Sequence, residues 1–232
     1  MEGVFLLAIE ASSVVGGVAL VEGGLLQGCV RLAHGQNLSG NLLHAAEWLL
    51  QRRQLALEQV DAIAVDVGPG AFTGLKIGVT IAKTWAHALG KPLIAVSAFE
   101  ACTAGMPEAT PTLVALPARR DALYLQWLRP RSEGTPEPLS EPAFVLQDTL
   151  GEWVAQHTPA AEWIQAIGAA HARAWLAPHL PSLHWSIIES PPPEGVAQVG
   201  WHRYQRGETS HPFSLAPLYI QPPSIHIKPQ GT

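Results

Sequence analysis

The chain has 232 residues, 47% of them hydrophobic and only 14% charged, a composition that excludes intrinsic disorder and leaves little ordinary charged surface. Its net charge of −5, with 14 Lys and Arg and no run of them, lacks the basic footprint of an autonomous nucleic-acid binder, so any RNA contact is expected only through a partner. The first apolar run, Val4 to Ile9, follows Glu2 rather than a basic segment and is too short to span a bilayer, so a cytoplasmic chain with no membrane contact is expected.

In chain order, Val4 to Glu10 is a continuous apolar run of buried-strand type. Gly17 to Glu22 is a second strand, and Gly23-Gly24 turns the chain into a third, Leu25 to Leu32. Leu42, Ala45, Ala46, Leu49 and Leu50 recur at helical spacing within a helix predicted over Asn41 to Arg53. A strand over Asp61 to Val67 leads to a helix over Thr73 to Leu89, stopped by Gly90, then a strand over Lys91 to Val96. Ser97, with Glu100 three residues on, forms a capping box that opens another helix. A three-strand meander followed by alternating helices and strands is the order of a ribonuclease-H-like unit.

The second half repeats that order less clearly. Strands are predicted over Thr112 to Leu116, Ala122 to Leu128 and Glu162 to Gly168, and helices over Gln147 to His157, Ala169 to Leu176 and Glu194 to Arg206. The Pro- and Glu-rich stretch from Pro130 to Pro142 reads as an exposed loop, and five prolines after Ser210 restrict the tail to extended segments, with at most a short strand over Leu218 to Gln221. Two lobes are expected, 1–105 and a degenerate 106–215, with an extended tail over 216–232. Cys29 and Cys102, without CxxC spacing, read as small core residues.

The turn Gly68-Pro69-Gly70-Ala71-Phe72-Thr73-Gly74 lies between a strand and a helix. Pro69 restricts φ, Gly68 and Gly70 permit a tight turn, and Thr73 is placed to cap the helix. Such a turn either cradles a phosphate through free N–H groups or lets a helix lie close to its sheet; no Lys-Ser or Lys-Thr makes it a phosphate loop of the GxxxxGK[ST] kind. On its helix the polar set Lys76, Thr80, Lys83, Thr84 and His87 fills only about 100° of arc, whereas the apolar positions, including Ile77, Ile81 and Trp85, spread over about 200°. One sheet cannot cover that arc. Gly74, Gly78, Ala82 and Ala86 form a stripe of small side chains expected to admit a neighbouring backbone. Trp48 falls outside the inward stripe of the earlier helix, beside His44 and Arg52, and is either an interface anchor or packed under another element of the chain.

Residues 68–78 resemble the GPGSFTG(L/V)RIG signature of the TsaB (YeaZ) family, with Ala71 for Ser and Lys76 for Arg. Leu7-Ala8-Ile9-Glu10-Ala11-Ser12 is similar to the family's opening LAIDTS, Ala118-Arg119-Arg120 with Tyr124 to its DAR…VY, and Pro217-Leu218-Tyr219-Ile220 to its terminal P-Y-L-R. From about 130 to 210 only the element order matches. The resemblance implies an α/β fold of two ribonuclease-H-like lobes in the actin/Hsp70/sugar-kinase (ASKHA) superfamily, the second degenerate. It also implies a non-catalytic subunit that activates the threonylcarbamoyl transferase TsaD, joined by the ATPase TsaE, for modification of the tRNA adenosine next to the anticodon. The two first-lobe helices would form the partner interface, which self-associates into a homodimer when the chain is alone. The expected interface residues are His44, Trp48, Arg52, Gly74, Ile77, Gly78, Ile81, Ala82 and Trp85, and the signature turn is Gly68, Pro69, Gly70, Phe72, Thr73 and Gly74. By this alignment the family's usual His near the start of the first helix is Leu38, and its following Pro is His44.

Active ASKHA members hold Mg²⁺ through an acidic residue ending the first strand of each lobe. Glu10 stands at the first such place and Pro117, which cannot ligate, at the second. There is no HxxxH pair, and His34 and His44 lie on different elements, so no metal, no catalytic residue and no cofactor are expected for the chain alone; an adenine nucleotide at the partner interface stays open. The alternative is an ASKHA-type small-molecule kinase or phosphohydrolase using Glu10 and the glycine turn. A metallopeptidase, suggested by an old glycoprotease label for relatives, fails for want of ligands such as HExxH.

Overall fold

The computed structural model describes residues 3–33, 37–108, 110–181 and 183–220. Strands β1 (Phe5–Glu10), β2 (Val15–Glu22) and β3 (Leu25–Ala33) form the expected antiparallel meander, turned at Gly23 and Gly24, both with positive φ. Helix α1 (Leu38–Arg52) leads to β4 (Ala62–Asp66), helix α2 (Phe72–Leu89) to β5 (Leu93–Val96), and the sheet order is β3-β2-β1-β4-β5, with β4 parallel to both β1 and β5. Gly90 ends α2 in the left-handed conformation, φ 64°, where a side chain would be strained. Helix α3 (Ala98–Thr103) opens with the reciprocal Ser97–Glu100 capping box read from the sequence.

The second sheet repeats this topology. Strands β6 (Thr112–Pro117) and β7 (Ala122–Arg129) are antiparallel, β8 (Glu137–Pro138) and β9 (Ala143–Leu146) both pair with β7, and β10 (Gln165–Gly168) and β11 (His184–Ile187) extend the sheet in parallel from β6. Helices α4 (Leu150–His157) and α5 (Ala170–Leu176) make the crossovers, and α6 (Pro193–Gln205) follows. Three readings change here. Glu137–Pro138 leaves the predicted loop to pair with Leu128 and Arg129. The helix predicted from Gln147 begins with a single 3-10 turn, and β9 and β11 are additional strands. Leu218 to Ile220 is extended but not a strand, while 221–232 lies outside the described residues, as does His34.

The third helix of each half packs where the sequence does not put it. One face of the first sheet is covered by α1 and α2, through Leu42, Ala46, Leu49, Val79, Ala82 and Ala86 on Leu7, Ile9, Val18, Ile63 and Val65. The opposite face is covered by α6, whose Val196, Ala197, Val199 and Trp201 meet Leu6, Ala8, Ala19 and Ala64. Conversely Phe99 and Cys102 of α3 pack with Val114, Leu116, Leu128 and Ile167 of the second sheet, whose far face carries α4 and α5. Gly200 lets α6 sit on β4, since a Cβ there would lie 2.6 Å from Ala64 Cβ. The boundary drawn at 105/106 therefore follows the sequence order of the sheets but not their covering: α6, in the second stretch, helps close the first core. Arg203 of α6 pins this exchange by pairing with Glu100 of α3 at 2.6 Å.

Candidate functional site

The signature turn is held from inside by two buried carboxyls. Glu10 ends β1 and Asp66 ends β4, neighbouring parallel strands, and both side chains are shut off from solvent. Glu10 Oε1 accepts from the Ser12 N–H and hydroxyl, each at 2.6 Å, and Asp66 Oδ1 accepts from the Gly68 N–H at 2.7 Å. Among the described residues Glu10 Oε2 and Asp66 Oδ2 have no hydrogen-bond partner. Burial, and for Glu10 the facing Asp66 charge, push both above the usual carboxylate range, Asp66 to about 7. Sequence reading singled out Glu10 but missed Asp66; the signal was a lone acid ending the wholly apolar run Ala62 to Val65.

A carboxyl whose folded pKa is raised binds its proton more tightly when folded, so its contribution is greatest near the unfolded pKa and declines as pH rises toward the folded one. Wild type is expected to lose about 2–4 kcal/mol relative to Asp66→Asn between about pH 5 and about pH 8, measured as the difference of their urea-unfolding free energies. A pH-independent difference would show that folding does not raise the Asp66 carboxyl.

Around these carboxyls the turn closes on itself. The Ala71 N–H donates to Ser12 O at 2.6 Å, and at Gly70 a Cβ would fall 2.2 Å from that same oxygen, which is why glycine stands there. Gly68, at φ +103°, gives its carbonyl to the Ala98 N–H at 2.8 Å. The N–H groups of Gly68 and Ala71 are thus used within the chain, which favours the reading of a close helix-to-sheet connection over a phosphate cradle. The N-cap position is Ala71, without a side-chain bond, so Thr73 does not cap α2 as predicted but sits exposed in its first turn. The neighbouring pocket between the two sheets, about 240 Å³, is lined by Ser12, Gly70, Pro117 and Glu189 among apolar groups and presents no cation to a phosphate. Among the described residues no three His, Cys, Asp or Glu side chains gather to hold a metal, and no helix is long and apolar enough to cross a membrane.

The second feature is the outer face of α1 and α2. Leu42, Ala45, Ala46, Leu49 and Leu50 of α1 are buried, leaving Leu43 41% and Trp48 54% exposed, with His44 and Arg52 exposed beside Trp48. Trp48 is therefore not packed under another described element. On α2, Ile77, Ile81 and Trp85 are half-buried at the rim of the core. Gly74, Gly78 and Ala82 correct the expectation: they are buried, and a Cβ on Gly78 would lie 3.0 Å from Ala11 Cβ of the chain itself. The small stripe brings α2 close to its own sheet and offers nothing to a partner. Between the helices a groove of about 350 Å³ is lined by Leu43, Glu47, Leu55, Leu57 and Trp85.

The segment after α6 runs back along α2 as a strap. It starts at the Ser210–Leu93 bridge, places Phe213 against His87 with ring centroids 4.8 Å apart, and accepts the Lys83 ammonium on Leu215 O at 2.9 Å. It ends with the Leu218 N–H on Val67 O at 2.6 Å and the Tyr219 ring 5.5 Å from Phe72. The Pro217-Leu218-Tyr219 motif is thus the outer clasp of the signature turn. Cys102 is a core residue as read, but Cys29 is half-buried and donates to Glu194 at 3.3 Å; burial first, then the facing Glu194, push its thiol up to about 12.

Residues 29–137 match the family model described as TsaD, tRNA N6-adenosine threonylcarbamoyltransferase. The chain is 35% identical over 99 residues to the tRNA threonylcarbamoyladenosine biosynthesis protein TsaB of Bacillus subtilis, 43% of each chain, and 31% identical over 127 residues to that of Haemophilus influenzae, 53% of each. The matched part spans between about a fifth and about half the length of the curated relatives. A Pseudomonas aeruginosa protein with similarity to the peptidase YEAZ superposes with a TM-score of 0.78 at 24% identity over 94% of this chain and all of that one. The ROK hexokinase of Thermus thermophilus superposes at 0.52, with 11% identity over 88% of this chain and all of that one. Two sheets of one topology with their third helices between them give this chain the two-lobed α/β fold seen in ASKHA proteins. Within that fold, the partial sequence matches and the superposition together make the chain similar to the TsaB/YeaZ family.

Proposed function

We propose that this chain is a non-catalytic subunit in tRNA threonylcarbamoyladenosine biosynthesis, docking through the outer face of α1 and α2 onto a TsaD-type transferase that a TsaE-type ATPase joins. The observation that carries the reading is the uncovered apolar rim: Leu43 is 41% and Trp48 54% exposed on α1, Ile77, Ile81 and Trp85 are half-buried on α2, and Leu43 and Trp85 line the groove between two helices whose other sides are already spent on the sheet. The TsaB-named relatives support the pathway, and the self-closed turn supports a role without phosphate chemistry of its own. In this reading tRNA is met only through the complex, in the cytoplasm. The chain holds no cofactor alone, any adenine nucleotide belongs to the partner interface, and an isolated chain pairs weakly with its own copy.

Ile81→Glu tests this without touching the inward stripe. Mixed with TsaD- and TsaE-type proteins, wild type is expected to co-elute with the transferase and yield modified tRNA by nucleoside mass spectrometry. Ile81→Glu, folded by circular dichroism, is expected to lose both, with affinity down about 30-fold or more. Unchanged co-elution would overturn the docking reading, and heat from Mg-ATP titrated into the isolated chain would favour a kinase instead.

A further inference from the structure

The charge of the docking face is opposite to that of the molecule. In a chain of net charge −5, no carboxylate occurs between Asp66 and Glu100, and that interval holds three of the four lysines, Lys76, Lys83 and Lys91, together with His87. The structure puts Lys76 on the outer side of α2, its ammonium 4.0 Å from the centre of the exposed Phe72 ring, and ties Lys83 only to a carbonyl of the strap. Arg52 stands exposed at the end of α1, where Glu47 is the helix's one acid.

Elsewhere most of the positive charges are neutralised at home. Arg31, Arg53, Arg119, Arg129, Arg131, Arg203 and Arg206 each bridge a carboxylate within 4.0 Å. Among the described residues Arg52, Lys76, Lys83, Lys91, Arg120 and Arg173 have no such bridge; the first four lie on α1, on α2 or just beyond its end, and Arg120 and Arg173 lie in the second half of the chain. Unpaired cations around an apolar centre add little to stability, but they steer and select a partner of the opposite charge.

We propose that the α1/α2 face is built for a protein surface carrying carboxylates around an apolar centre, and that its unbridged cations select such a partner over a second copy of this chain. The proposal rests on the docking reading above and deepens it. Two copies meeting face to face bring like charges together, which opposes the pairing. An RNA would satisfy the cations but leave Trp48, Ile81 and Trp85 unburied, so the apolar centre favours protein. Salt then acts with opposite signs on the two assemblies: screening weakens the complex with the acidic partner and strengthens the self-pair.

The test uses the full chain with the TsaD-type protein, by biolayer interferometry at low and high salt, and sedimentation of the chain alone. For the complex, raising NaCl from about 50 mM to about 500 mM is expected to weaken wild-type binding about 10-fold. The double substitution Lys76→Glu with Arg52→Glu, both on exposed positions, is expected to weaken it at least about 10-fold at low salt and to remove the salt dependence. Self-association of the wild type is expected to rise with salt. If Ile81→Glu dissolves the complex while salt and the double substitution leave it unchanged, the charge inference falls and docking stands. If none of these changes affects it, docking itself falls. A tRNA transcript shifted by the isolated chain, and released by the double substitution, would overturn the proposal in favour of RNA.

Discussion

Gly78→Arg is expected to destabilise the chain by about 3 kcal/mol or more, lowering Tm by about 10 °C in a circular-dichroism melt, rather than merely to weaken an interface. The position lies on the side of α2 that meets β1: a single added Cβ would already stand 3.0 Å from Ala11 Cβ and 3.6 Å from Ile9 Cγ2. An arginine must either push the helix off the sheet or bury an unpaired guanidinium in a core where Ile9, Ala82 and Val65 are closed to water. Ile81→Arg, on the next stripe around the same helix, is expected to leave Tm within about 3 °C of wild type, because its side chain can swing into solvent. Equal melting of the two variants would refute the orientation of α2 described above.

A comparable loss is expected in the other lobe. Trp127 is completely buried in β7 and fills the core between the second sheet and α4 and α5. Trp127→Ala is expected to cost about 3–5 kcal/mol, read from the midpoint of a urea transition. Among the described residues its Nε1 has no hydrogen-bond partner, so the indole contributes through its packed rings and not through its polar atom. Trp127→Phe, which keeps one ring and removes the unpartnered N–H, is expected to cost only about 1–2 kcal/mol. A phenylalanine variant as unstable as the alanine variant would point to a bond made by the indole N–H. Either substitution is expected to leave the outer face of α1 and α2 unchanged at temperatures where the variant is folded, since those helices pack in the core of the first sheet and not in that of the second.

Much of this architecture is written locally. The apolar run Leu6 to Ile9, the Gly23-Gly24 turn, the Ser97–Glu100 box and the stop at Gly90 are interactions within a few residues, and each appears as the spacing predicts. The outward position of Trp48 was also legible, because helical period alone places it opposite Leu42, Ala46 and Leu49. Period says which side of a helix is apolar or small, but not what covers it, and that is where the reading departs. Gly74, Gly78 and Ala82 looked like a seat for a foreign backbone and are the seat of the chain's own first sheet. The helix Pro193–Gln205 looked like part of the second half, yet its Val196 and Val199 complete the core of the first. Asp66 and Glu10 are far apart in the chain and become a pair only through the parallel register of β1 and β4. The short strands β9 and β11, four residues each, carry too few periods to be told from loop.

The exchange of third helices also has a temporal side. The first sheet is complete once Val96 has been made, but the layer that seals its second face, Val196 to Trp201, emerges from the ribosome about a hundred residues later. Until then Leu6, Ala8 and Ala64 line an open greasy floor on the nascent chain, and at translation speeds of roughly 5–20 residues per second that floor stays bare for several seconds. The first sheet cannot be closed on both faces until α6 has been made.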